Sequence, residues 1–310
     1  MIDSHGLKNE AGVYILPTID SKDFKIIKKL GAGASGSVLL AKYLADGSDI
    51  AIKAINIYDE NKRKQFKNDV HVLYDHKCPF LVKMHGIYYE EAKVKMLLEY
   101  MNLGSLEGLT KKFQERKTQA PCVPEIILAK MTHQMLQGLL YLHRVKHQIH
   151  RDIKPANILV NTDGIIKLTD FGITKTLECT SDFSVSYVGT KNYMSPERIE
   201  GKPYSYASDI WSLGLVIFEL ASGKFPFMND KNDMLMLLNA LLYEKEPRLP
   251  CDGTYSNALQ SFIERCLQRN PEDRDTVVEL VCHPWIREYA FEEGDVAKWL
   301  SQLYGYRLIG

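Results

Sequence analysis

The sequence predicts an α+β protein, with a small β-rich lobe followed by a larger helical lobe. Three observations carry this. From Phe24 to Leu98 short β-rich runs alternate with turn signals. Beyond Asn102-Leu103-Gly104 the apolar residues fall into helical spacing. The chain has 310 residues, enough for two lobes sharing a cleft, which the change of pattern places near residue 102.

In the first region the runs Ser37–Ala41, Ile50–Ile55 and Lys93–Leu98 read as strands, with Ala45-Asp46-Gly47 as a turn between the first two. One helix is expected among them, over Lys62–Tyr74, where Phe66, Val70 and Leu73 share a face. In the second region Pro124–Val145 carries Ile127, Met131, Met135, Leu139 and Leu142 as one apolar stripe that reads as core packing. Ala207–Ala221 is apolar nearly all round and reads as a buried helix. Further helices are expected over Asp230–Tyr243, Tyr255–Gln268 and Thr276–Cys282. A last amphipathic stretch, Glu293–Tyr304, has Val296, Trp299, Leu300 and Leu303 on one side.

Composition removes several function classes. Lys+Arg and Asp+Glu both number 39, and this neutrality argues against a generic nucleic-acid binder. The six cysteines, Cys78, Cys122, Cys179, Cys251, Cys266 and Cys282, form no C-x-x-C pair and read as reduced thiols. No run approaches the about 18 apolar residues of a membrane helix. Met1–Asp20 has neither the basic start nor the apolar core of a signal peptide and reads as a loose tail. The expected location is the cytoplasm, with the nucleus left open.

The first chemical signal is Gly31-Ala32-Gly33-Ala34-Ser35-Gly36, preceded by Leu30 and followed by Val38. Glycines let a backbone approach phosphates closely, but plain turns and dinucleotide folds produce the same spacing. A dinucleotide loop would open a helix, whereas a β-rich run follows here. Seventeen residues past Gly36 stands Lys53, in Ala51-Ile52-Lys53. A lysine in an apolar strand needs a partner, which phosphates would supply; it could also reach out to water.

The second signal is more specific. His150-Arg151-Asp152-Ile153-Lys154-Pro155-Ala156-Asn157 follows the long helix. Two apolar runs then flank Asn161-Thr162-Asp163-Gly164, a hairpin signature. Such a hairpin returns Asp170-Phe171-Gly172 to the side of Asp152 and Asn157. Two carboxylates and an amide oxygen in a small volume are hard ligands of the kind Mg²⁺ prefers.

These motifs, in this order, resemble the eukaryotic protein kinase family over about Phe24–Tyr289. The resemblance implies the two-lobed protein kinase fold: a tail over 1–23, a kinase domain over 24–289 divided at 101/102, and a helical extension over 290–310. It implies an enzyme that uses ATP and Mg²⁺. Gly31, Gly33 and Gly36 would cover the phosphates, Val38 and Ala51 would line the adenine pocket, and Leu30, Ala32, Ala34 and Ser35 would also bind the nucleotide. Lys53 would hold the α- and β-phosphates, and Asp69 would pair with it. Leu98 would be the gatekeeper, Glu99 to Met101 the hinge, and Leu159 the floor under adenine. Asp152 would be the catalytic base, Lys154 the γ-phosphate clamp, and Asn157 and Asp170 the Mg²⁺ ligands. Glu197 would pair with Arg274, and Asp209 would brace the catalytic loop.

A narrower resemblance is to the mitogen-activated protein kinase kinases. Its carriers are Leu98–Leu106, Val188–Arg198 and Ser208–Leu215. It implies a mitogen-activated protein kinase as substrate, phosphorylated on Thr and Tyr of its activation loop, and an upstream kinase as activator. The alternatives are another serine/threonine kinase of such a cascade, or a weakly active kinase-like scaffold.

Two features set this chain apart within that pattern. The family has glutamate where Asp69 stands, one methylene longer; Asp69 is read either as the partner of Lys53 or as part of a solvated face. The tail lacks the basic cluster that such kinases use to dock substrates. Between Phe171 and Gly189 lies a hydroxyl-rich segment. By resemblance Thr180 and Ser186 are its phosphorylation sites, with Arg151 receiving a loop phosphate.

Overall fold

Alternating side chains on successive strands build an antiparallel sheet in the computed structural model, which describes residues 2–7, 19–33, 36–55, 70, 74, 76–91, 93–115, 121–171, 192–227 and 234–306. The chain divides into two compact units. Among the described residues the first holds those up to Lys77 together with Leu81–Met101, and the second holds Cys78–Phe80, Asn102–Phe171 and those from 192 onward.

In the first unit β1 (Ile2–Asp3) and β2 (Gly6–Leu7) form a short hairpin. The main sheet contains β3 (Phe24–Gly33), β4 (Gly36–Tyr43), β5 (Asp49–Ile55), β6 (Met84–Glu90) and β7 (Lys93–Glu99), in the order β3-β4-β5-β7-β6. All pairs are antiparallel. On β5 the residues Ile50 and Ile52 point to one face and Ala51 and Lys53 to the other. The first face is sealed by a cluster of Ile19, Ala41, Ile50, Ile52, Tyr88 and Leu97, flanked by Phe24, Leu39 and Tyr43. Each fully buried aliphatic side chain there contributes about 1.5–3 kcal/mol.

The first residues were expected to be a loose tail. Instead Ile19 is buried in that cluster, and its amide donates to the His5 carbonyl at 2.7 Å, which ties the hairpin down. Ile19 fits because position 86 is glycine: a Cβ there would lie 2.1 Å from the Ile19 Cδ1. The helix expected over Lys62–Tyr74 lies outside the described residues, except for the helical Val70 and Tyr74.

The second unit begins with β8 (Gly104–Ser105) and α1 (Leu106–Glu115), followed by α2 (Glu125–Leu140). The stripe over Pro124–Val145 was expected to form one helix. It ends at Leu140 and continues as a π-helical turn, Tyr141–Val145, closed by the Lys146 amide on the Tyr141 carbonyl at 3.1 Å. β9 (Ile158–Val160) and β10 (Ile166–Leu168) form the expected hairpin, with β8 pairing on the far side of β9. Gly164 in its turn has φ 75°, which glycine adopts without strain.

The remaining helices are α3 (Pro196–Ile199), α4 (Ala207–Ser222), α5 (Met234–Tyr243), α6 (Asn257–Cys266), α7 (Val277–Val281), α8 (Pro284–Tyr289) and α9 (Val296–Tyr304). α4 is buried along most of its length, as its composition implies. Residues 290–310 were read as an appended extension. Their helix α9 buries Val296 and Leu300 and belongs to the second unit.

Candidate active site

The second unit gathers the chemical residues. The loop after the π-helical turn is held by Asp209, in the first turn of α4. Its carboxylate accepts from the His150 amide at 2.7 Å, the Arg151 amide at 2.8 Å and His143 Nε2 at 2.8 Å. Burial pushes the Asp209 carboxyl up, but the bond and charge of His143 and the His150 contacts outweigh it and bring it below the usual range. Arg198, on α3, donates to the Arg151 carbonyl at 2.5 Å. The Arg151 peptide is thus gripped at both ends, in keeping with its φ of 73°, a strained value for a non-glycine residue. His150 is fully buried, and burial drives its pKa down against the raising effect of Asp209, Asp152 and Asp170. Its Nδ1 accepts from the Asp152 amide at 3.3 Å.

Asp152 is the centre of a small network. Asn157 Nδ2 donates to the Asp152 carboxylate at 2.7 Å and to its backbone carbonyl at 2.9 Å. Lys154 Nζ lies 2.9 Å from the same carboxylate oxygen. A 3-10 turn, Pro155–Asn157, brings Asn157 round to make these contacts. Asp170 comes back to this place through the hairpin. β9 and β10 pair from Ile158↔Leu168 to Val160↔Ile166, and the Thr169 amide donates to the Asn157 carbonyl at 3.0 Å. Asp170 itself has φ 63°, and Phe171 beside it is buried at 6.2 Å from the His150 ring. Leu159 points away from the buried Ile158 and Val160 and is half-buried.

This donor set fits a divalent cation. Both Asn157 amide hydrogens are directed at Asp152, which leaves its Oδ1 as an acceptor, and Asp170 follows Thr169, whose amide is bonded to the Asn157 carbonyl. An amide oxygen and a carboxylate are hard ligands that suit Mg²⁺.

In the first unit Gly31, Val38, Ala51, Lys53 and Leu98 lie on one face of the sheet. Lys53 pairs across β4 with Val38, which in turn opposes Gly31. Ala51 opposes Leu98 on β7. These residues lie on the face away from the Ile19 cluster. Lys53 is only 6% exposed. Gly36 has φ 134°, and a Cβ there would lie 1.8 Å from the Ala54 carbonyl oxygen, so β4 approaches β5 in a way only glycine permits. Leu30 stands 41% exposed beside a register shift in β3. The Glu99 carboxylate accepts from the Lys83 amide at 3.2 Å, and Met101 is buried. Ala34, Ser35, Asp69, Thr180 and Ser186 lie outside the described residues.

Behind the loop, Arg274 donates to both carboxylate oxygens of Glu197 at 2.8 Å, buried within the second unit. Burial pushes the Glu197 carboxyl up, but Arg274 overrides it and holds the pKa at about 2. The sequence pointed to this pair and to Asp209. It did not reveal Arg198 or His143, whose roles depend on a backbone carbonyl and on a carboxylate 66 positions away.

A β-sheet unit with a buried strand lysine, joined to a helical unit with an aspartate loop and a returning Asp-Phe-Gly, defines a phosphoryl-transferring kinase fold. Residues 24–286 match the family described as "Protein kinase domain", and the chain belongs to that family. Within it the chain is similar to Mitogen-activated protein kinase kinase 2 of Arabidopsis thaliana, 37% identical over 90% of this chain and 76% of the relative. It is 38% identical to Mitogen-activated protein kinase kinase 3 of the same plant, over 92% of this chain and 54% of the relative. It is 33% identical to Dual specificity mitogen-activated protein kinase kinase 1 of Dictyostelium discoideum, over 92% and 56%. It thus spans about half the length of the last two. No helix among the described residues is long and apolar enough to cross a membrane.

Proposed function

We propose that this chain transfers the γ-phosphoryl group of ATP to a mitogen-activated protein kinase, on Thr and Tyr of its activation loop. The observation that carries the chemistry is the Asp152 network: one carboxylate held by Asn157 and Lys154, with the strand that leads into Asp170 tied to Asn157 through the Thr169 amide. Similarity to kinases named for that substrate supports its choice.

Asp152 accepts the proton of the substrate hydroxyl as that oxygen bonds to the γ-phosphorus of ATP and the bond from this phosphorus to the β–γ bridging oxygen breaks, releasing ADP. Asn157 and Lys154 fix the carboxylate, so that it is already oriented when the hydroxyl arrives. Lys154 lies where it can then balance negative charge on the transferred group. Asn157 and Asp170 would hold Mg²⁺, which would neutralise phosphate charge. Lys53 and the chain through Gly36 would hold ATP. Activity is switched on by phosphorylation of Thr180 and Ser186, since each phosphate adds about two negative charges that an arginine such as Arg151 can pair.

The test is to incubate the chain, after treatment with an upstream kinase of the cascade, with a catalytically dead mitogen-activated protein kinase and to map the phosphorylated residues. Paired Thr and Tyr phosphorylation in one loop is expected. Phosphate on serine or threonine elsewhere only would overturn the substrate assignment. A Thr180→Ala/Ser186→Ala chain is expected to resist activation, and full activation of it would overturn the switch.

A further inference from the structure

The C-terminal helix α9 lies beyond residues 24–286, which match the kinase family, yet it contacts the hairpin that joins Asn157 to Asp170. At Gly164, in the hairpin turn, a Cβ would lie 2.7 Å from the Ala297 backbone nitrogen and 3.0 Å from the Val296 Cβ. The turn therefore meets the first turn of α9 backbone to backbone. Beyond the other end of α9, the Tyr306 hydroxyl donates to the Thr162 carbonyl at 3.4 Å. The helix grips the tip at two points.

α9 is itself anchored. Asp295 caps its start, accepting from the Lys298 amide at 3.0 Å. Leu300 is 1% exposed, and the Lys112 ammonium of α1 sits 4.7 Å over the Tyr304 ring. The segment before it is pressed onto α2: a Cβ at Gly294 would lie 2.8 Å from Ile126 Cγ2. The hairpin tip is also held by Gln134 of α2, which donates to the Gly164 carbonyl at 3.1 Å and accepts from the Ile166 amide at 2.8 Å. The tip is thus held by both α2 and α9.

Each strand of the hairpin is three residues long, about 10 Å at the usual rise. One hydrogen bond, Thr169 amide to Asn157 carbonyl, ties its two roots. A tilt at the tip would change the spacing of Asn157 and Asp170. We infer that α9 is a positioning element for the metal-binding pair, acting through Val296, Ala297 and Tyr306 on Gly164 and Thr162. This rests on the kinase reading above and adds a residue set outside the family domain to its metal site.

The test compares three variants of the whole 310-residue chain. Gly164→Ala puts a methyl group against α9. Gly253→Ala imposes the same type of backbone strain, at φ 88°, where a Cβ meets open space. Val296→Ala only shortens a contact and covers the case in which Gly164→Ala does not fold. The first readout is amide exchange over residues 158–169 in nucleotide-free protein, expected to quicken about tenfold in Gly164→Ala. The second is the Mg²⁺ concentration for half-maximal rate at saturating ATP, expected to rise about fivefold in Gly164→Ala and about twofold in Val296→Ala, with excess Mg²⁺ restoring the rate. Gly253→Ala should leave both unchanged. An unchanged Mg²⁺ requirement in Gly164→Ala and Val296→Ala overturns the inference, even if the rate falls, because a purely structural loss lowers the active fraction alone. The unaltered chain keeps the two readings apart. Absence of phosphoryl transfer there overturns the kinase reading, whereas transfer with an unmoved Mg²⁺ requirement overturns only the role of α9.

Discussion

Lys53 and Asp152 are both charged residues of the candidate site, yet they are held in place by different means. Lys53 owes its position to strand register: it faces Val38 across the sheet because β4, β5 and β7 are paired residue by residue. Asp152 owes its position to side chains drawn from distant places, with Asp209 on α4, Arg198 on α3 and Asn157 on the next turn. A sheet fixes which way a side chain points and leaves the backbone regular. A loop can bring a carboxylate, an amide and an ammonium to one point, but it needs polar braces and tolerates strain, as the positive φ of Arg151 and Asp170 records. Binding surfaces suit the first arrangement and proton transfer the second.

Substitutions that attack one arrangement and spare the other would sharpen this contrast. Among substitutions that leave Asp152 itself in place, the largest effect on activity is expected at Lys53. Lys53→Met keeps much of the stem but removes the charge, and we expect about a hundredfold loss of kcat/KM with little change in melting temperature. A large fall in stability would mean that Lys53 is a packing residue of the sheet. Next comes the brace behind the loop. Arg274→Ala strands a buried carboxylate at Glu197 and should cost about 3–5 kcal/mol, measured by denaturant unfolding.

The same pair carries a pH signature. The Glu197 pKa is depressed from 4.5 to about 2 in the folded chain. Its contribution is therefore present above the unfolded value and is lost as pH falls from about 4.5 towards 2. A Glu197→Gln chain should show a flatter stability profile across that window, and an identical profile would contradict the assignment.

Two glycines of the β3–β4 hairpin give the smaller effects. Gly36→Ala meets the Ala54 carbonyl at 1.8 Å and should raise the KM for ATP about tenfold, as overpacking by 1–3 kcal/mol implies. Gly31→Ala meets nothing within 4 Å of the protein, so its melting temperature should match that of the unaltered chain. Equal effects on stability at both positions would show that loop composition, rather than contact with β5, governs the site.

Much of this was legible in the sequence for a physical reason. Strand alternation and the Asp163-Gly164 turn are local signals, and they placed Ala51, Lys53 and the hairpin correctly. The order of Asn157, the two short strands and Asp170 encoded the return of the chain, because a hairpin of that length brings its end back to its start. What the sequence hid depends on contacts between distant segments. The insertion of Ile19 against Gly86, the grip of Arg198 on a backbone carbonyl and the packing of α9 on Gly164 leave no periodic trace. The long stripe over Pro124–Val145 hid the change to a π-helical turn, because apolar spacing of three and four persists through it.

The central claim is that Asp152 works as a base within a prearranged network, in a chain that transfers phosphate. The most direct measurement compares phosphoryl transfer from γ-labelled ATP by the activated chain and by its Asp152→Ala variant, alongside the dissociation constant for ATP. We expect transfer to fall by about a thousandfold, within the usual range for loss of a general base, with ATP affinity held within about threefold. Undiminished transfer by the variant would contradict the account.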